Sequence, residues 1–144
     1  MDSIEPVPSP RWERSDDSMR SIDSRALRMS WRTVLADACT GGEAYVILRR
    51  GRPEAVLVSQ ASWLRGCAKI PVPVANQRLI AASDARSSLS AVRTAAHTSG
   101  RHTLIRKRYG SLFRADSPAE FDAVIAPYDW LVAVRQHRNG AHPR

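Results

Sequence analysis

Two spacings of apolar residues organise the chain. Between Ser30 and Cys39, the residues Trp31, Val34, Leu35 and Ala38 stand at i, i+3, i+4 and i+7. That is one face of a helix, with Ser30 placed to cap its start and Gly41-Gly42 to end it. Tyr45-Val46-Ile47-Leu48 and Ala55-Val56-Leu57-Val58 are short apolar runs separated by Arg49-Arg50-Gly51-Arg52-Pro53, which predicts a β-hairpin. Ser59 to Leu64 predicts another short helix, with Ser59 as its cap. Pro71 and Pro73 forbid a helix from Ile70 to Val74 and mark a linker.

Beyond the prolines the pattern starts again. Arg86-Ser87-Ser88-Leu89 is similar to Arg28-Met29-Ser30-Trp31, and Leu89, Val92 and Ala96 continue a helical face up to Gly100. His102 to Ile105, the basic cluster Arg106-Lys107-Arg108, an insertion over 111–122, Ala123 to Ala126 and Trp130-Leu131 complete a second unit. An internal repeat is the economical explanation. The expected organisation is an acidic, Pro-rich flexible arm (1–20), a first unit (21–66), a linker (67–78), a second unit (79–133) and a basic tail (134–144). Each unit reads as helix, strand, basic turn, strand, helix, so the fold class is α+β with a small antiparallel sheet per unit. A unit of this size buries only a modest core, and pairing the two copies into an intramolecular pseudo-dimer meets that need.

Composition narrows the function. A chain of 144 residues and 16.0 kDa cannot hold a large multi-domain enzyme. Lys plus Arg number 22 against 14 Asp plus Glu, a net charge of +8, which favours polyanions or acidic proteins as partners. The arm holds Asp2, Glu5, Glu13, Asp16 and Asp17 against Arg11, Arg14 and Arg20, so the positive surplus belongs to the part that folds. Only Lys69 and Lys107 are lysines; arginine suits bidentate contacts with phosphate and guanine, and a GC-rich coding bias gives the same preference. Cys39 and Cys67 are too few for a disulfide framework. With no apolar run of membrane-spanning length and no cationic leader at the start, the expectation is a cytoplasmic protein.

The candidate chemistry is cationic. Near the helix starts stand Arg25, Arg28, Ser30 and Arg32 in the first unit and Arg86, Ser87, Ser88 and Arg93 in the second. Such residues either meet phosphates and a groove edge or serve as ordinary caps and a solvated face. The turn clusters Arg49-Arg50-Arg52 and Arg106-Lys107-Arg108 suit phosphate contact, or solubility and edge protection. Trp31, Trp63 and Trp130 fall on apolar faces as core or interface residues, whereas Trp12 in the arm is a candidate anchor for a protein partner. His97, His102, His137 and His142 lack metal-ligand spacing, and no phosphate-binding Gly-rich loop or nucleophile motif is present. The expectation is therefore no enzyme, no catalytic residue, no metal and no cofactor.

The first unit resembles a known family. Arg28-x-x-Trp31-x-x-x-Leu35-x-x-Ala38, Gly41-Gly42-Glu43, and Val46-Ile47-Leu48-Arg49-Arg50-Gly51-Arg52-Pro53-Glu54-Ala55-Val56-Leu57-Val58 are similar in order and spacing to the N-terminal domain of the prevent-host-death (Phd/YefM) antitoxins. The second unit keeps Ala85-Arg86-Ser87-Ser88-Leu89-Ser90 but has neither a Gly-x-Pro turn nor a Glu after Gly100. The resemblance implies a DNA-binding, antitoxin-like transcriptional repressor of a type II toxin–antitoxin system. Its partners would be a double-stranded DNA operator and a cognate toxin, with the fused pair replacing the usual two-chain dimer and able to dimerise further. The alternative is a protein-interaction module that binds a toxin or another protein without DNA.

Overall fold

The computed structural model describes residues 19–41, 44–107 and 120–140. These form a mixed α+β architecture: β1 (Met19–Asp23), α1 (Ser24–Met29), α2 (Trp31–Gly41), β2 (Ala44–Arg49), β3 (Arg52–Ser59) and α3 (Gln60–Lys69), then β4 (Gln77–Ala81), α4 (Ala82–Ser87), α5 (Leu89–Ser99), β5 (His102–Arg106), β6 (Ala123–Pro127) and α6 (Tyr128–Gly140). The strands make one sheet in the order β1-β2-β3-β6-β5-β4. It is mixed where small antiparallel sheets were expected, because β1 runs parallel to β2 and β4 parallel to β5.

Register relates the two ends of this sheet. Met19 to Asp23 pair with Ala44 to Leu48, and Gln77 to Ala81 pair with His102 to Arg106 in the same sequence of partners. At the centre β3 and β6 are antiparallel, with Leu57 opposite Ile125, Val56 opposite Ala126 and Val58 opposite Val124. The pairing is symmetric about Leu57 and Ile125.

Both faces of the sheet are covered. Ile47, Leu57, Ile105 and Ile125 lie in a core cluster with Leu27, Trp31, Leu35, Ala85, Leu89 and Val92 from the four helices α1, α2, α4 and α5. Their neighbours Val46, Val56, Leu104 and Val124 join Trp63 of α3 and, partly buried, Trp130 and Leu131 of α6. Two buried faces explain why the central strands read as unbroken apolar runs rather than alternating ones.

Local chemistry fixes the ends of the elements. The helix predicted from Ser30 is α2, and a short helix that the spacing did not announce precedes each of the longer ones, α1 joined to α2 at Ser30 and α4 to α5 at Ser88. The Ser30 N–H donates to the Ala26 carbonyl at 3.0 Å while its own carbonyl accepts from Val34, and Ser88 does the same with Asp84 and Val92. Neither serine acts as the expected cap: the Ser88 hydroxyl donates to the Asp84 carbonyl at 2.6 Å, and the true cap of the first helix pair is Asp23, whose Oδ1 accepts from Ala26 N at 2.8 Å. Ser59 does cap α3, accepting from Ser62 N at 3.1 Å. The hairpin turns through Arg50 and Gly51, both at positive φ (54° and 78°), the conformation of a two-residue type I′ turn. Pro53 stands beside the register shift in β3, where a missing donor is tolerated.

Several expected boundaries move. Met19 and Arg20 belong to β1 rather than to the arm; α3 reaches Lys69 and β4 begins at Gln77, which shortens the linker; and α6 extends into the segment read as a tail. The insertion ends on the core, with Phe121 buried and Asp122 N donating to the Ile105 carbonyl at 2.8 Å.

Candidate nucleic-acid interface

The short helices α1 and α4 carry an arginine in the last turn, Arg28 and Arg86, where positive charge complements the carbonyl end of the helix. Both are exposed, as are Arg25 and Arg32. The two helices meet through these residues: Arg86 Nε donates to the Arg28 carbonyl at 3.0 Å, a contact between positions 58 apart in the chain. One surface thus gathers arginines from both parts of the sequence, and one of them is held in place by a backbone acceptor.

The serines beside them are exposed but differently employed. Ser87 Oγ donates to the Ser83 carbonyl at 3.0 Å and Ser88 Oγ to Asp84, so their hydroxyl hydrogens point into α4 and the oxygens remain as acceptors. A phosphate needs donors, which leaves the arginines as the principal anion-binding groups here. Ser30 is exposed at the α1–α2 joint.

Arg93 corrects an expectation. It is only 7% exposed, with Nε 3.1 Å from Glu54 Oε1 and Nη1 2.6 Å from Ser24 Oγ. Glu54 is itself buried, and Arg49 (3.7 Å) and His97 Nε2 (3.9 Å) approach its second oxygen. Arg93 is therefore an internal brace tying α5 to β3 and α1, and it leaves the list of exposed contact residues. Burial followed from its helical phase: it lies one residue after Val92 and three before Ala96, both buried on the same helix.

The basic turns sit apart in character. Arg49, Arg50 and Arg52 are exposed around the hairpin. Arg106 is half-buried, its Nε 3.5 Å from the Glu120 carbonyl, while Lys107 is exposed and its backbone N–H donates to Asp122 Oδ2 at 2.6 Å. Lys107 comes together with Arg32 and Arg86 along an open groove of about 1130 Å3 that Met29, Thr33 and Ser83 also line. Sequence reading passed over these last three. Ser83 stands in α4 where Arg25 stands in α1, a correspondence that the spacing of Arg28 and Arg86 already carries. Arg108 and Trp12 lie outside the described residues.

The remaining candidate groups are quiet. Burial pushes the Cys39 thiol up, against the opposing charge of Lys107, and burial likewise raises Cys67, so neither favours the thiolate. Among the described residues no group of three or more His, Cys, Asp or Glu side chains gathers as a metal site, and no helix is long and apolar enough to cross a membrane. Compared with protein-family models, curated proteins and solved structures, the chain matches none.

Proposed function

We propose that the protein is a DNA-binding, antitoxin-like repressor made of two tandem Phd/YefM-like units that pair within one chain, and that the α1/α4 surface meets the duplex. The observation that carries this reading is the side-by-side, exposed placement of Arg28 and Arg86 at the ends of matching helices. Matching strand registers and the symmetric β3–β6 pairing support two equivalent units. Arg25 and Arg32 add charge on the first side, where the second has Ser83 and Ser90, which favours an operator with unequal half-sites. The hairpin arginines Arg49, Arg50 and Arg52 supply phosphate contacts that set affinity and salt dependence more than sequence choice. A toxin contact rests on the family resemblance alone.

Exposed arginines can be removed with little effect on folding. The double variant Arg28→Ala/Arg86→Ala is expected to keep the wild-type melting profile and to lose about 1–3 kcal/mol of duplex affinity per side chain. Fluorescence anisotropy against the DNA upstream of its own reading frame and against random duplex, over a salt series, checks this. Unchanged affinity in the variant would refute the assignment, and equal binding to both duplexes would reduce it to non-specific attraction. A stoichiometric protein partner together with no salt-dependent DNA binding would favour the interaction-module alternative.

A further inference from the structure

The groove between the α1–α2 joint and α4 has a second character besides charge. The buried side chains of Trp31 and Leu35, with Ala36 and Ala82, give it an apolar lining, and Met29 stands 74% exposed at its side. Arg32, Arg86 and Lys107 reach it from three separate segments: α2, α4 and the residue after β5. Thr33 and Ser83 add hydroxyls, and among the described residues that line the groove there is no carboxylate. The three like charges gathered here repel one another: the Arg86 side chain is tethered by the Arg28 carbonyl, and the single Asp122 carboxylate, which accepts from the Lys107 backbone N–H, offsets them only in part. An anion would relieve that repulsion.

The size and the lining say which kind. The open groove, about 1130 Å3, has room for a whole small molecule beyond an inorganic ion. Guanidinium and ammonium groups together match a doubly charged phosphate, while the accessible apolar lining of Met29, Ala36 and Ala82, with the small exposed parts of Trp31 and Leu35, matches a flat, weakly polar body. A base-paired duplex offers phosphates to such a rim but keeps its base faces stacked, so it cannot fill the apolar part. We propose that this groove is a binding site for a phosphorylated small molecule with a flat apolar moiety, of mononucleotide size. The site stands independently of the duplex reading, although it shares Arg32, Arg86 and Lys107 with it.

Adenosine 5′-monophosphate is a suitable probe, followed by isothermal titration calorimetry and tryptophan fluorescence on the full chain at physiological salt. Saturable 1:1 binding in the submillimolar range is expected, with adenosine alone and inorganic phosphate alone each at least about tenfold weaker, since each engages half of the groove. Arg32→Gln and Lys107→Gln, both at exposed positions, are each expected to weaken the mononucleotide about tenfold without moving the melting temperature. Absence of saturation at about 10 mM, a concentration only weak, non-specific association requires, would overturn the proposal. So would inorganic phosphate binding as tightly as the mononucleotide, or wild-type affinity in both variants. Because duplex binding is read in a separate titration, its presence or absence leaves these outcomes intact.

Discussion

At the scale of single residues, the informative side chain on the face away from the arginines is His102. Its ring is almost fully buried; Trp63 Nε1 donates to its Nδ1 at 2.9 Å, and the Trp130 ring meets it edge-on at a centroid distance of 5.0 Å. Accepting at Nδ1 fixes the neutral ring with its proton on Nε2. Burial disfavours the imidazolium and lowers the pKa from 6.5 to about 4. Between those two values the unfolded chain binds a proton that the folded chain refuses, so stability falls as pH drops from 6.5 towards 4 and levels off below. The loss amounts to at most roughly 3 kcal/mol, at about 1.4 kcal/mol per pH unit. His102→Gln keeps an acceptor for the Trp63 N–H and removes the titration. Melting temperatures followed by circular dichroism across this window are expected to fall less steeply in the variant than in the wild type; equal slopes would trace the proton uptake to other groups.

At the scale of elements, α3 and α6 pack closely because one position lacks a side chain. A Cβ on Gly66 would stand 2.5 Å from Trp130 Cη2 and 2.8 Å from Cζ2. That indole cannot easily swing away, because its Nε1 donates to the Ile70 carbonyl at 3.1 Å and its ring rests against His102. In an open helix, Gly→Ala stabilises by up to about 1 kcal/mol; here Gly66→Ala is expected to destabilise by about 1–3 kcal/mol through overpacking, as read by urea denaturation. A stabilised variant would mean that the two helices slide apart at little cost. No period in the sequence announces this contact, since it joins residues 66 and 130 through tertiary packing. What the sequence does disclose are elements with a full apolar face: the helix at Trp31, the hairpin, and the central strands. β1 and β4 escape notice because they are edge strands with few buried side chains, and Arg20-x-Ile22 and Arg78-x-Ile80 are readable as strands only once the spacing of Arg28 and Arg86 is applied to them. The short helices α1 and α4 before Ser30 and Ser88 escape notice because each carries only one buried apolar residue, Leu27 and Ala85. Among the site residues exposure was legible at Arg25, Arg28, Arg32 and Arg86; the burial of Arg93 was readable only from its helical phase beside Val92 and Ala96, and its partner Glu54, on a distant strand, was not readable at all.

At the scale of the whole molecule, the β3–β6 contact decides what each part can do alone. A chain ending at residue 69 would leave the β3 edge with Val56, Leu57 and Val58 unpaired, an edge that seeks another strand. A second copy of the same fragment could pair about Leu57 as β6 does about Ile125, but the interior would not be equivalent. Glu54 is neutralised by Arg93 of α5, and at the position of α2 that corresponds to Arg93 the chain has Leu35, buried in the core. A homodimer of the first fragment would therefore bury two Glu54 carboxylates against leucines. Arg49, exposed and at 3.7 Å, would be their remaining counter-charge, and breaking a buried pair in this way costs about 3–5 kcal/mol. Fragments 19–69 and 70–140, produced separately and mixed, are accordingly expected to form a 1:1 complex in preference to either homodimer, as measured by sedimentation velocity. Leu35→Arg in the first fragment returns a guanidinium to each Glu54 and is expected to shift that fragment towards self-association. If the unmodified first fragment dimerised as tightly as it bound the second, the brace would have no part in choosing partners, and the preference for pairing within one chain would come from covalent linkage alone.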